Sequence, residues 1–162
     1  MKHVFKSLTD NKEVDLIPYL KDKLSNDNPF LKERHFKVED VEIYVGCDSQ
    51  NHGDQTHYAC VIVLHYGNNG GHVLYSKMKI DRVRERFVKL WKEVEFSMEV
   101  AQYLNTFGIR ANFVDIDLNP DPRYGSNTVL RAALGFVESF GFVPRCKPFA
   151  LSASYAADRL CK

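Results

Sequence analysis

The chain has 162 residues and a formal net charge of +1, and 44% of its residues are hydrophobic. This length suits one domain with a sizeable core. The near-neutral charge excludes an overall basic field, so any nucleic-acid binding must come from a local patch. The four cysteines form no CxxC pair, which argues against a zinc knuckle or a disulfide framework and favours a reducing compartment. Since neither a long apolar run nor a basic-then-apolar leader is present, we expect a soluble, cytoplasmic protein without a membrane partner.

Residues 1–40 are predicted to form a small helical extension of the main fold. Their apolar residues favour a helix over residues 12–24, and Pro18 places its start nearer Leu16, because proline is tolerated in a first helical turn. We therefore divide the chain into this extension and a main domain, residues 41–162.

Three strands are predicted next, joined by short turns as an antiparallel meander. Residues 41–47 alternate between two faces and run into the polar segment DSQ. Residues 57–66 are too apolar for an edge strand. GNNGG at residues 67–71 predicts a tight turn before the third strand, residues 72–80.

From Asp81 onward the apolar residues recur at helical spacing, which predicts a long amphipathic helix that ends at Gly108. The remaining predicted elements are a strand at 109–118, a helix from Ser126 or Asn127 to Phe140, a strand at 142–150 and a last helix at 152–162. This order, βββαβαβα, predicts an α/β fold with a mixed five-stranded sheet covered by helices on both faces.

Two aspartates are predicted at the ends of central strands, Asp48 after the first and Asp117 at the end of the fourth. A turn is the alternative role for Asp48, since Asp, Ser and Asn in a row favour turns. If the two strands are neighbours, the carboxylates lie close together and need a neutralising partner. A divalent cation is the simplest partner, and oxygen ligands select Mg²⁺ or Mn²⁺.

The helices add further acids. Glu93 and Glu95 flank the apolar stripe of the long helix, so one of them could lean toward the aspartates, while Glu99 lies further out; the alternative is that all three are solvated. Asp158 falls on the apolar stripe of the last helix, where a carboxylate needs a partner. That partner could be Arg159, another arginine or a metal.

The segments GCDSQ, EVEFSMEVA, FVDIDLNP and KPFALSASYAADR, in this order of elements, resemble the ribonuclease H fold and, more closely, the YkuK family of RNase H-like proteins. The resemblance covers the chain from Val41 onward. It implies a set of acidic catalytic residues and metal ligands: Asp48, Glu93, Asp117, Asp158 and, as a reserve ligand, Asp115. It also implies hydrolysis of phosphodiester bonds in RNA, DNA or a hybrid by two Mg²⁺ or Mn²⁺ ions that share Asp48, one activating water and the other stabilising the leaving oxygen.

Candidate substrate contacts lie beside the acids and around the start of the long helix: Ser49, Gln50, Arg82, Arg84 and Lys147. The basic side chains of residues 81–92 could follow a phosphate backbone or form a solvated helix face. Tyr124 and Phe149 are candidate stacking groups. His52 and His57 are interpreted as surface histidines of a polar turn, with proton transfer or product release as the alternative.

Three hypotheses remain open from the sequence. The first is a metal-dependent nuclease or related phosphodiesterase, which the acid set favours. The second is a non-catalytic RNase H-like module that binds nucleic acid or a protein partner, which the near-zero net charge favours. In the third, Asp48 and Asp117 are turn residues of an unrelated α/β domain.

Overall fold

The computed structural model describes residues 4–121, 123, 127–148 and 152–161, and within these ranges seven strands form one mixed sheet. The strands are β1 (Phe5–Ser7), β2 (Glu13–Val14), β3 (Glu42–His52), β4 (Gln55–His65), β5 (Gly71–Asp81), β6 (Phe113–Ile116) and β7 (Pro144–Cys146). The helices are α1 (Leu16–Lys23), α2 (Pro29–Glu33), α3 (Arg86–Thr106), α4 (Asn127–Ser139) and α5 (Ser152–Cys161). The strand order across the sheet is β2-β1-β5-β4-β3-β6-β7.

The predicted class and element order are confirmed, but the predicted count of five strands is wrong. The antiparallel meander is β3-β4-β5, and β6 and β7 extend it with parallel pairing. The two additional strands come from the N-terminal extension, which is therefore not purely helical: β1 pairs with β5, and Phe5 is 1% exposed. Strands of three and two residues are too short to produce a readable alternation of apolar and polar residues.

The predicted end of the first meander strand at residue 47 is also wrong. β3 continues to His52 and stays in register with β4 over its whole length, from Glu42 opposite His65 to His52 opposite Gln55. Asp48 therefore lies within a strand and not in a turn. The ladder to β4 outweighs the low strand propensity of the polar segment, because strand preference depends strongly on the neighbouring strands.

Pairing between β3 and β6 ends much earlier than pairing between β3 and β4. The parallel register with β6 runs only from Tyr44 to Gly46, and β6 itself ends at Ile116. Among the described residues, only β3, β4 and β5 continue the sheet beyond Gly46. We call this part the arm, residues 47–52, 55–60 and 76–81. In the arm, no described strand pairs with the edge of β3 that is paired with β6 up to Gly46, and we call this edge the open flank.

The predicted alternation of β3 is confirmed by two separate apolar clusters. Ile43, Val45 and Cys47 belong to the larger cluster, together with residues of α3 such as Met98. Tyr44 belongs to a smaller cluster that includes Ala153 and Ala157 of α5. Helices thus cover both faces of the sheet, and the even-numbered residues of β3 face α5.

The helix ends agree with the predicted caps, whereas two strands are shorter than predicted. α3 and α4 end just before Gly108 and Gly141, each with a φ of 78°. Since β6 covers only Phe113–Ile116, Asp117 lies one residue beyond the strand. Helix α1 begins at Leu16, as predicted from the position of Pro18.

Gly46 provides a test of how closely α5 approaches the sheet. An added Cβ at Gly46 would lie 3.0 Å from the Cβ of Ala153 and 3.3 Å from the backbone nitrogen of Ser154. Because neither atom is on a flexible side chain, we expect Gly46→Ala to lower the free energy of unfolding by about 1–3 kcal/mol, measured by urea denaturation.

Gly135→Ala is the matched control, since Gly135 lies in α4 with no atom within 4 Å of an added Cβ. We expect this variant to be more stable than the wild type by about 0.5–1 kcal/mol, because alanine favours a helix. Wild-type stability of Gly46→Ala would contradict the close approach.

Candidate active site

Asp48 lies at the start of the open flank of the arm, two residues beyond the last pairing of β3 with β6. The pKa of its carboxyl group is raised to about 6, first by burial and then by the negative charges of Asp117 and Asp158. The backbone N–H of Ser49 and the ammonium group of Lys89 act in the opposite direction. Asp48 therefore belongs to a group of like charges from distant parts of the chain.

Glu93 is the buried acid of this group. It projects from α3 and is 5% exposed, and burial raises the pKa of its carboxyl group to about 8, with Asp48 and Asp117 adding to the shift. Two groups stabilise its ionised form: the hydroxyl of Ser49 donates a hydrogen bond to Oε1 at 2.5 Å, and Lys89 lies one turn earlier on the helix. Glu93 thus reaches the sheet at the residue next to Asp48.

The structure distinguishes the three glutamates of the long helix. Glu95 is exposed, and its Oε1 accepts a hydrogen bond from Nε1 of Trp91 at 3.0 Å. Glu99 is half-buried and lies further along α3. Of the two glutamates that flank the apolar stripe, it is Glu93 whose pKa is raised by the charges of Asp48 and Asp117, in addition to burial.

Asp117 is paired with Lys147 across the end of the sheet. The Nζ of Lys147 lies 2.6 Å from Oδ1 of Asp117, and this contact raises the pKa of the lysine. The sequence predicted Lys147 as a phosphate contact. Here it neutralises one of the acids.

Asp115 has protein partners on both carboxylate oxygens. Its Oδ1 accepts a hydrogen bond from Nε of Arg145 at 3.1 Å, and its Oδ2 accepts one from the backbone N–H of Ala153 at 2.9 Å. Asp115 is 1% exposed, and burial raises the pKa of its carboxyl group. The guanidinium carbon of Arg145 lies 4.3 Å from the ring centroid of Tyr44. Asp115 thus connects β6 to the first turn of α5.

Asp158 reaches the acid group from α5. Its charge contributes to the raised pKa of Asp48. The end of the same helix contacts β3 directly: Sγ of Cys161 lies 3.1 Å from the carbonyl oxygen of Asp48. The carbonyl oxygen of Cys161 lies 2.8 Å from Nε2 of His52. These contacts hold the last turns of α5 against the arm.

The other predicted substrate contacts divide into two sets. Gln50 is exposed on the face of β3 that also carries Asp48, close to the acids. Arg82 and Arg84 lie at the far end of the arm, where Nη1 of Arg82 donates to the carbonyl oxygen of Gly53 at 2.7 Å. The stacking candidates Tyr124 and Phe149 lie outside the described residues.

The structure therefore brings together acids from β3, α3, the end of β6 and α5, which we call the acid cluster: Asp48, Glu93, Asp117 and Asp158. Their oxygen donors have the chemistry that Mg²⁺ and Mn²⁺ prefer. Among the described residues, however, no three His, Cys, Asp or Glu side chains are close enough to hold one metal ion. Glu93 instead contacts Ser49, and Asp117 contacts Lys147. The oxygen donors of the acid cluster therefore suit such an ion in kind, but the four acids would have to move closer together to bind it.

Two basic residues, Lys89 near the acid cluster and Arg145 at Asp115, were not predicted from the sequence as partners of these acids. Lys89 lies four residues before Glu93, a spacing that places both on one side of a helix, so a signal was present. Arg145 lies 30 residues from Asp115, and a contact at this separation has no local sequence pattern.

In a comparison with protein families, a family model described as ribonuclease H-like matches residues 30–162. Comparison with curated proteins and with solved structures gives no significant match. None of the helices in the described ranges has the length and apolar character needed to cross a membrane.

The raised pKa of Glu93 predicts a stability that falls with pH. The pKa of Glu93 is about 8 in the folded protein and near 4.5 in the unfolded chain, so between these pH values Glu93 is protonated only in the folded protein. The free energy of unfolding therefore falls as the pH rises from about 4.5 to about 8. Glu93→Gln removes this titration. Relative to wild type, we expect the variant to gain roughly 1–3 kcal/mol in free energy of unfolding between about pH 5 and pH 8.

Urea denaturation in the presence of a chelator measures this difference. Glu95→Gln, at an exposed position of the same helix, is the control and is expected to follow the wild-type pH dependence. Parallel pH profiles for Glu93→Gln and wild type would show that Glu93 titrates as an ordinary glutamate.

Proposed function

The chain belongs to the ribonuclease H-like family, and we propose that it hydrolyses phosphodiester bonds of nucleic acids with the help of two Mg²⁺ or Mn²⁺ ions. The family match supports a fold of the kind found in proteins that act on nucleic acids, and the acid cluster supports the hydrolytic chemistry. The narrower membership of the YkuK family stays a prediction from the four sequence segments.

One observation carries the proposal: acids from four separate segments lie near the point where β3 continues without β6. Burial raises the pKa values of Asp48 and Glu93 there, and the charges of neighbouring acids add to both shifts. Gathering like charges in a partly buried place costs stability. A protein that needed only the fold could place apolar residues there. A cluster of this kind is typical of sites where a bound cation completes the charge balance.

In the proposed site, Asp48, Glu93, Asp117 and Asp158 would hold the ions. Such ions, when bound, supply a nucleophilic water at neutral pH and stabilise the leaving oxygen. The hydroxyl of Ser49 fixes the orientation of the Glu93 carboxylate. Asp115, with both oxygens occupied, positions α5 and with it Asp158.

The second candidate function is a non-catalytic module that binds nucleic acid or a protein partner. The ion pair of Lys147 with Asp117 favours it, because a lysine can balance the charge of the cluster permanently. The two candidates differ in whether a divalent cation binds.

Asp48→Asn/Asp117→Asn tests for the cation site. We expect Mn²⁺ to raise the Tm of the wild type by several degrees and to leave the Tm of the double variant unchanged. A ligand at about 100 times its Kd stabilises by about 2.7 kcal/mol, and about 1 kcal/mol shifts the Tm of a domain this size by roughly 2–4 °C. Asp22→Asn/Asp40→Asn, at two exposed acids, is the control for the change in net charge.

Cleavage of RNA, DNA and hybrid substrates with Mn²⁺ then separates the two candidate functions. The proposal expects cleavage by the wild type and by the control and none by Asp48→Asn/Asp117→Asn. Cation binding without cleavage of any substrate favours the non-catalytic module, and cleavage retained in that double variant contradicts the proposed site.

Lys147→Met tests whether the lysine competes with the cation. The variant keeps the aliphatic part of the side chain and removes the ammonium group from Asp117. We expect Mn²⁺ to bind about five- to tenfold more tightly, because the ion no longer has to displace the ammonium group of Lys147 from Asp117. The effect stays modest because the lysine side chain is 41% exposed and solvent partly screens its charge.

Calorimetric titration with Mn²⁺ measures this change. Lys32→Met is the control, since Lys32 forms an exposed ion pair with Asp27 at 2.8 Å, away from the cluster. Equal Mn²⁺ affinity in wild type and Lys147→Met would mean that the lysine does not compete.

A further inference from the structure

A second group of ionisable side chains lies on the arm, outside the acid cluster. It lines a pocket of about 370 Å³ between the arm and the end of α5. His52 of β3, His57 of β4 and Lys77 and Lys79 of β5 supply its polar lining, and Leu160 and Cys161 of α5 close one side. We call these four polar side chains the basic pocket.

The strand register places the basic pocket on one face of the arm. His57 is directly opposite Lys79, and Lys77 lies two residues away on the same face of β5. The ring of His52 lies 4.5 Å from that of His57. This is also the face that carries Asp48, four residues before His52 on the same strand.

The arrangement concentrates positive charge on one face of the arm. Like charges directly opposite on neighbouring strands are destabilising. The pKa of His57 is lowered by burial and by the charges of Lys79, His52 and Lys77. Within the described ranges, no carboxylate forms an ion pair with either lysine. The end of α5 gives His52 a partner, the carbonyl oxygen of Cys161.

We propose that the basic pocket binds a phosphate group of a nucleic-acid strand whose neighbouring segment lies at the acid cluster. The choice of a nucleic acid as ligand rests on the proposed function. A polyanion is repelled by the ionised carboxylates of the acid cluster, and a net charge of +1 gives the chain no general attraction for it, so a local positive group must hold it. At about 3.3 Å per residue, His52 lies roughly 13 Å along β3 from Asp48. A single nucleic-acid strand that runs parallel to β3 can span this distance.

The experiment measures binding of labelled single strands of RNA and DNA, about 12 nucleotides long, by fluorescence anisotropy in the presence of a chelator. Lys77→Ala/Lys79→Ala removes the charges of the pocket. Lys21→Ala/Lys37→Ala removes two exposed lysines elsewhere and is the control for net charge. Lys77→Arg/Lys79→Arg keeps the charge at the pocket.

We expect Lys77→Ala/Lys79→Ala to bind at least tenfold more weakly at low salt. The slope of log affinity against log salt should fall by about 0.7 for each phosphate that the variant no longer neutralises. The arginine variant and the control should keep the wild-type affinity and slope. Equal affinity and slope in the alanine variant and the control would overturn the proposal, as would a wild-type protein that binds neither strand.

Three further outcomes identify the ligand and separate this proposal from the proposed function. Inorganic phosphate that binds as tightly as the strands would overturn the assignment to a nucleic acid. If the strands bind through the lysines and the wild type cleaves none of them with Mn²⁺, the pocket stands and the hydrolytic function fails. Cleavage by the alanine variant with a wild-type KM would overturn the pocket and leave the hydrolytic function standing.

Discussion

The site depends on the different lengths over which β3 pairs with its two neighbours. Pairing with β4 continues to His52, whereas pairing with β6 ends at Gly46. Past Gly46, side chains from α3, from the end of β6 and from α5 can therefore approach Asp48, although Glu93 and Asp48 start from opposite faces of the sheet. A β6 that paired along the whole of β3 would fill this flank with backbone and leave no place for an acid cluster.

Keeping four acids together requires compensation, and the structure supplies it with specific partners. Ser49 donates to Glu93, Lys147 pairs with Asp117, and Lys89 acts on both Asp48 and Glu93. Buried charges without partners are strongly unfavourable, so each of these contacts makes the cluster compatible with a folded protein. The positive charge of the basic pocket lies further along the same arm, on the face of the sheet that carries Asp48.

Much of the fold could be predicted because long elements carry a strong period. The alternation of β3 and the helical spacing of α3 gave the two faces of the sheet and the order of elements. The remaining features depend on contacts between residues that are far apart in the sequence. The length of β3 came from its ladder with β4, which outweighed the turn preference of the segment after Cys47. The choice of Glu93 over Glu95 depended on the rotation of α3, and the pairing of Lys147 with Asp117 joins segments that have no shared pattern.

The contacts of α5 affect how substitutions near the site should be interpreted. Asp115 fixes the first turn of this helix through the N–H of Ala153, and Gly46 allows the close approach of the same turn. Asp158 lies five residues further along the same rigid element, about 7.5 Å of helical rise. Replacing Asp115 would displace Asp158 without removing any group from the cluster. A loss of activity after such a replacement would result from the displacement of α5, and it would not show that Asp115 takes part in the chemistry.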